Sequence, residues 1–249
     1  MSMTQNATFL DSVLFKIKMK TRQAFGAIVE GNSELQIAAR DNHHELLELL
    51  LTEPGVNVNI RDENNRTPLM YACRAGHIKI VRSLCQVTGL DINCRDRDGW
   101  TALHEAVRRN DLACLEILRE VPRTDWNVIT NSGGSALTMA LLWGFSDILQ
   151  LLLSVPPPRL DLRVTDPAGR NLAQIAVESE GGASAVRCVQ LLSQNRRVNW
   201  NIKNREGDTP VMFCLKNNKI EMARILLSTP RVNLNTRDRQ GKYLENIAR

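Results

Sequence analysis

The residues of this chain that could act as nucleophiles, bases or metal ligands are four histidines and six cysteines. Cys73 and His77 are four positions apart and would share one face of a helix, but two ligands do not complete a zinc site. His43 and His44 are adjacent, so a helix would point them in different directions. The spacing therefore predicts neither a catalytic centre nor a structural metal site, and we expect the chain not to be an enzyme.

Phosphate-binding motifs and targeting segments are also lacking. The sequence has neither Gly-x-x-x-x-Gly-Lys nor a Gly-x-Gly-x-x-Gly after a strand, so no nucleotide hydrolysis and no cofactor are expected. No run of 18 apolar residues occurs, and no signal peptide is recognisable. No Cys-x-x-Cys pair is present and five cysteines fall in predicted helices, which favours inert core thiols in a reducing compartment. We expect a cytoplasmic protein, with the nucleus as the alternative location.

The composition is that of a folded, soluble protein with a basic surface. Hydrophobic residues make up 43% and charged residues 24% of the chain. The formal net charge of +5 is compatible with an acidic protein partner, a nucleic acid or an anionic surface, and also with simple solvation. Charge alone does not choose among these.

The element that must position any functional residue is a repeated segment. Residues 96–106 read DRDGWTALHEA, and residues 62–72 read DENNRTPLMYA. Successive copies end on small residues at spacings of 34, 34, 34, 36, 38 and 34. A fixed period of this length predicts stacked structural repeats that bury one row of small side chains. The aligned residues are Ala38, Ala72, Ala106, Ala140, Ala176, Cys214 and Ala248.

Each copy carries local signals for two helices. Thr67 and Thr101 are suited to cap a first helix, Pro68 suits its first turn, and Gly76 suits its end. A second apolar segment follows, such as residues 78–84.

These residues resemble the ankyrin repeat family, whose signature is a turn, then Thr-Pro-Leu-His and an Ala, then two helices. The resemblance implies an all-α solenoid of stacked helix-turn-helix units with β-turn fingers. It covers residues 28–249 as one ankyrin repeat domain of about six repeats plus a truncated seventh. Residues 1–27 are then expected to be an N-terminal capping segment for the first repeat.

Two repeats depart from the family pattern. Residues 132–135 read SGGS where the others have an acidic turn, and residues 178–184 add about four residues between two helices. Both changes are predicted to lie in loops and to leave the stacking intact. Trp126 and Trp200 replace an aliphatic residue that precedes an Asn, so we expect them to pack between repeats.

The family resemblance also implies a modification and its alternative. Asparaginyl hydroxylases modify ankyrin repeats at an Asn that recurs in this chain, whereas a structural Asn that hydrogen-bonds the turn would explain the same residues. The matching positions are Asn59, Asn93, Asn127, Asn201 and Asn235.

In this family, the exposed concave face is built from the fingers and the outer side of each first helix. Arginine clusters on that face in repeats two and three, and two tryptophans fall on it in neighbouring repeats. Tryptophan flanked by arginine is typical of interface hot spots. The predicted partner-binding residues are Arg66, Arg74, Arg97, Trp100, Arg108, Arg109, Leu142 and Trp143.

We interpret the two tryptophans as anchors for an apolar element of a partner, with the arginines engaging its carboxylates. In the competing interpretation, Trp100 folds back onto the neighbouring finger and Leu142 with Trp143 packs under it. The sequence thus predicts a scaffold that binds a protein with acidic and apolar groups, as a monomer or within a larger assembly. The alternative is a nucleic-acid or nucleotide-binding domain that uses Trp stacking and Arg–phosphate contacts.

Overall fold

The structure is a computed structural model that describes residues 33–244. The expected N-terminal capping segment 1–27 and Ala248 of the seventh repeat lie outside the described residues. Within them, twelve α-helices form six pairs, one pair per repeat. The pairs are α1 (Glu34–Arg40) and α2 (His44–Leu51), α3 (Pro68–Ala75) and α4 (Ile78–Gln86), α5 (Ala102–Arg108) and α6 (Leu112–Glu120), α7 (Ala136–Leu142) and α8 (Ser146–Ser154), α9 (Leu172–Glu178) and α10 (Gly182–Gln194), and α11 (Pro210–Lys216) and α12 (Ile220–Leu227).

The chain divides into two compact units, Met1–Arg97 and Asp98–Arg249. In the first unit, α1 packs on α3 and α2 packs on α4. In the second, the first helices α5, α7, α9 and α11 pack in series, and the second helices α6, α8, α10 and α12 do the same. This is the stacking of an all-α repeat solenoid, which confirms the predicted fold class.

The capping signals act as the sequence predicts. The Thr67 hydroxyl accepts the Met70 N–H at the start of α3, and Pro68 occupies the first turn. Gly76 ends this helix at a φ of 76°, a conformation that costs glycine no steric strain. Ser33, Ser135 and Asn171 cap their helices through the same kind of hydrogen bond.

The aligned small residues form the core of each unit. Ala38, Ala72, Ala106, Ala140, Ala176 and Cys214 have no exposed surface. Small side chains at these positions let the first helices of successive repeats approach closely, which explains why the period is so well marked. Trp126 and Trp200 are also buried, each at 1% exposure.

All six thiols are free, and five of them are buried. Burial raises the pKa of Cys188 to about 11 and that of Cys214 to about 12, so both stay protonated at neutral pH. These two thiols are inert core residues, as expected.

We use "finger" for the seven residues that precede the N-cap of each first helix. One polar side chain organises the turn: Asp62 accepts the N–H groups of Asn64 and Arg66, at 2.9 and 2.7 Å. Asp166, Asn204 and Asp238 bind the equivalent two N–H groups of their own fingers. In repeat four the Thr130 hydroxyl accepts the Gly134 N–H at 3.0 Å, so the departure at residues 132–135 keeps the finger intact.

The recurring asparagines connect neighbouring repeats. The Asn127 side chain donates to Arg159 O at 2.9 Å and accepts the Asp161 N–H at 2.8 Å. Asn59 and Asn201 make the same pair of bonds to the turn that lies 30 to 32 residues later. The turn-binding role expected for these three asparagines is therefore present.

Candidate partner-binding surface

The arginines predicted on the first unit differ in their surroundings. Arg66 Nε lies 3.6 Å from Asp96 Oδ2, and the Asp96 side chain is only 4% exposed. Arg74, in the last turn of α3, is exposed and forms no hydrogen bond or ion pair with the residues that the structure describes. Arg97 is exposed, and its backbone N–H donates to Asn64 O at 3.0 Å.

In the second unit, α5 and the finger residue Trp100 before it form a group that we call the repeat-three corner: Trp100, His104, Glu105 and Arg108. Arg108 Nη2 lies 2.7 Å from Glu105 Oε2, and the Glu105 side chain is 5% exposed. The Arg108 guanidinium also lies 5.6 Å from the centre of the Trp100 ring, which in turn is 5.9 Å from the His104 ring. Arg108 is therefore already paired with a buried carboxylate and fixes the Trp100 ring in place.

His104 is fully buried and makes hydrogen bonds at both ring nitrogens. Its Nδ1 accepts the Thr101 N–H at 3.2 Å, and its Nε2 lies 3.1 Å from Val128 O. Since Nδ1 is an acceptor and a carbonyl can only accept, the network assigns the proton to Nε2. The histidine therefore joins the start of α5 to the finger of repeat four, which is a structural role.

The end of α7 forms the repeat-four corner, which consists of Leu142, Trp143 and Phe145. Leu142 is 44% exposed and Trp143 is 42% exposed, and the Trp143 and Phe145 rings are 5.7 Å apart. The chain turns between the two rings at Gly144, whose φ is 68°. The segment inserted in repeat five borders this turn, because a Cβ on Gly144 would lie 3.4 Å from Ser184 Cβ and 3.8 Å from Gly181 Cα. Residues 182–184 of this segment belong to α10, so the prediction that the whole segment is a loop is wrong.

The fold itself does not require apolar residues at positions 142 and 143. In the other described repeats, the residues two and three positions after the aligned small residue include a charged or polar side chain. The equivalent pairs are Arg40 and Asp41, Arg74 and Ala75, Arg108 and Arg109, Glu178 and Ser179, and Lys216 and Asn217. The exposed pair in repeat four is thus a departure that packing does not explain.

Arg109 is the residue next to the repeat-three corner. Its side chain is 49% exposed, and Nε lies 3.9 Å from Asp111 Oδ2, at the limit of an ion pair. The structure therefore brings Trp100 together with Arg108, and Leu142 together with Trp143. It does not show all eight predicted residues as one group.

Sequence reasoning missed Phe145, the third member of the repeat-four corner. It is the N-cap residue of α8, where the other second helices begin after His43, His77, Asp111, Gly181 or Lys219. An aromatic residue at a position that is otherwise polar or glycine was the available signal.

The described residues contain little that suggests chemistry. Among residues 33–244, no group of three or more His, Cys, Asp or Glu side chains could hold a metal ion. Within that same range, no helix is long and apolar enough to cross a bilayer. The second unit has a cleft of about 440 Å³ between the fingers of repeats five and six, and Gln174, Ile202 and Phe213 are among its lining residues.

Comparison with known proteins agrees with this architecture. A family model described as ankyrin repeats (3 copies) matches residues 9–96, 35–129, 87–165 and 137–238. The ankyrin repeat domain of Bcl-3, described as a unique member of the IkappaB protein family, is 24% identical with a TM-score of 0.75, over 88% of this chain and 95% of that one. An ankyrin repeat domain from Acinetobacter baumannii AYE is 23% identical with a TM-score of 0.70, over 78% and 96% of the two chains. The ankyrin repeat domain of human ASB11 is 24% identical with a TM-score of 0.62, over 88% and 92%. A comparison with curated proteins found no match.

Proposed function

Because this chain belongs to the ankyrin repeat family, whose repeats generally act as protein-interaction modules, we propose that it is a non-catalytic scaffold for a partner protein. In this proposal the repeat-four corner anchors an apolar element of the partner. The cytoplasm is the proposed location, because free thiols persist in a reducing compartment.

The observation that carries the proposal is the exposure of Leu142 and Trp143 at neighbouring positions. Single exposed apolar residues are normal on a protein surface, whereas a contiguous group that packing does not require indicates an interaction site. Tryptophan is the residue type most enriched at the energetic centre of interfaces, where its truncation costs about 2 kcal/mol or more.

The arginines of the second unit take different parts in this proposal. Arg109 is half exposed and weakly paired, so it is available to bind a partner carboxylate. Arg108 instead holds Trp100 and neutralises Glu105, which makes it a support for the surface. Contacts from Arg66, Arg74 and Arg97 of the first unit remain predictions from the sequence.

Nucleic-acid or nucleotide binding has less support. That function needs arginines whose charge is available to phosphates, and the ion pairs of Arg66 with Asp96 and of Arg108 with Glu105 reduce the available charge. Binding to single-stranded RNA that weakens steeply with salt would favour this alternative.

The test exchanges the repeat-four corner for residues that the chain itself uses at the same positions. Leu142→Lys with Trp143→Asn reproduces the pair Lys216 and Asn217 of repeat six, so the fold should be kept. The matched control is Leu227→Lys, which removes a leucine that is 47% exposed at the end of α12. Each protein is used to capture partners from cell extract, and retained proteins are quantified by mass spectrometry.

We expect wild type and the Leu227→Lys control to retain the same partner and the double variant to lose it. The loss should be about tenfold or more, because 1.4 kcal/mol corresponds to a factor of ten in affinity. Equal retention by the double variant, with an unchanged urea-unfolding curve, would overturn the proposal.

A further inference from the structure

The cleft between the fingers of repeats five and six is lined by Gln174, the third residue of α9. In repeat one, the third residue of the first helix is Gln36, whose Nε2 donates to Arg66 O of the next finger at 2.7 Å. In repeat three, His104 at the same position reaches Val128 O of the next finger at 3.1 Å. The polar residue at this position in repeats one and three therefore ties one repeat to the next.

Gln174 holds this position in repeat five and does not complete the link. Its Oε1 accepts the Asn171 N–H at 3.0 Å, as a capping residue should. Its Nε2 has no hydrogen-bond partner among residues 33–244, although Gln174 is only 4% exposed and lines the cleft. This amide nitrogen keeps accessible surface at the cleft, so an oxygen of a bound ligand can accept a hydrogen bond from it.

The finger of repeat six forms the other side of the cleft. The residue equivalent to Val128 is Ile202, which lines the cleft and is 43% exposed. Phe213 of α11 adds a second apolar group to the lining. The cleft thus combines an unpaired amide donor with two apolar surfaces, the usual mixture in a binding site of this size.

The rim of the cleft is basic, and its cationic side chains carry more N–H donors than they use within the protein. Arg205 Nη2 donates to Ala168 O at 3.0 Å, and Lys203 Nζ donates to Arg237 O at 2.7 Å. Neither side chain meets a carboxylate in the described part of the chain, and each has further N–H donors.

The carboxylates that line the cleft offset only part of the positive charge of the rim. Glu178 is paired with Arg170 at 2.7 Å, and Glu206 is an exposed acid in the same finger as Lys203 and Arg205. The formal charges of the lining residues sum to one positive charge; these residues are Arg170, Lys203, Arg205, Glu178 and Glu206.

We propose that this cleft binds an extended acidic peptide: one carboxylate contacts Gln174 Nε2 and the Lys203–Arg205 rim, and an adjacent apolar side chain packs on Ile202 and Phe213. The site is separate from the repeat-four corner and does not depend on the function proposed above. A peptide suits the cleft better than a compact anion because the donors stand beside apolar surface that a bare phosphate would leave uncovered.

The test is a selection of random octapeptides displayed on phage, with the whole chain as bait. We expect the retained peptides to be enriched in Asp or Glu within two residues of an apolar residue. The selected peptides are then tested against two variants. Lys203→Glu with Arg205→Glu reverses the charge of the rim. Gln174→Met introduces the residue that repeats two and six have at this position, Met70 and Met212. The control is Arg187→Glu with Arg196→Glu, which makes the same charge change on exposed residues outside the cleft.

Each cleft variant should bind the selected peptides about tenfold more weakly or worse, because hydrogen bonds to the peptide carboxylate are lost. The control variant should bind them with the affinity of wild type. The repeat-four double variant should also bind them normally, which separates this proposal from the first. The proposal is overturned by selected peptides that lack acidic residues, by unchanged binding in Gln174→Met, or by equal competition from inorganic phosphate or a trinucleotide.

Discussion

The repeat-three and repeat-four corners share one equivalent position, which is Arg108 in repeat three and Leu142 in repeat four, yet they differ in what their side chains contact. In repeat three the helix places Glu105 and Arg108 where repeat four has Met139 and Leu142. The first pair forms an ion pair that also holds Trp100, whereas Leu142 is left 44% exposed beside Trp143. A tryptophan on the same face can therefore be part of the structure or available to a partner, depending on the residue one turn away.

The largest expected loss of stability comes from a substitution that disrupts the repeat-three corner. Arg108→Ala leaves the buried Glu105 carboxylate without its cation and should lower the free energy of unfolding by about 2 kcal/mol. This figure is below that of a fully buried pair because the Arg108 side chain is 42% exposed. Urea denaturation measures the change.

The matched control converts one corner into the other. Glu105→Met with Arg108→Leu installs the repeat-four pair in repeat three and should restore most of the lost stability, because no charge is then buried alone. A double variant as unstable as Arg108→Ala would show that the ion pair is not what stabilises this corner.

His104 supports the same corner and should give the next largest effect. His104→Leu leaves the Thr101 N–H and Val128 O without partners and should cost about 2 kcal/mol of unfolding free energy. His104→Gln should cost much less, because Gln36 of repeat one accepts the Ser33 N–H and also donates to a carbonyl of the next finger, Arg66 O. Thermal and urea unfolding distinguish the two variants, and equal losses would contradict the assigned hydrogen bonds.

Substitutions in the repeat-four corner should change the stability much less. Leu142→Lys with Trp143→Asn should change the unfolding free energy by only about 1 kcal/mol or less, mainly through the lost contact between the rings of Trp143 and Phe145. A loss as large as that of Arg108→Ala would mean that this corner is structural too, and it would remove the main argument for a binding role.

The smallest expected effect is on the pH dependence of stability, and it concerns Asp166 in repeat five. Burial acts to raise the pKa of Asp166, but the hydrogen bonds from the Arg170 side chain and backbone outweigh it and lower that pKa. A carboxylate with a lowered pKa stabilises the fold above the unfolded-state value of about 3.9, and this contribution is lost as pH falls through the folded-state pKa.

Asp166→Asn should therefore remove part of the acid sensitivity of the chain. Between pH 6 and pH 3, wild type should lose more unfolding free energy than the variant, by about 1 kcal/mol or less because Arg170 is partly exposed. Asn204 shows that an asparagine can hold the same finger turn. Parallel stability curves for the two proteins would contradict the prediction.

Much of the fold could be predicted from local signals. The caps at Thr67 and Ser135, the turn at Gly76 and the buried row of small residues all follow from short-range chemistry repeated at a fixed period. The candidate site was less accessible to such reasoning. Arg108 and Trp143 were predicted as residues of one kind, because position in the repeat does not reveal whether a neighbour neutralises a charge or covers a ring.

The sequence by itself determined that helix pairs stack and which small side chains lie inside them, because burial and helix capping depend on residues a few positions apart. Only the tertiary structure decided that His104 reaches Val128 O of the next finger and that the start of α10 borders Gly144. It also decided that the Gln174 amide lacks an acceptor. These outcomes depend on distances between groups up to 40 residues apart in the chain, and the backbone positions of neighbouring repeats set those distances.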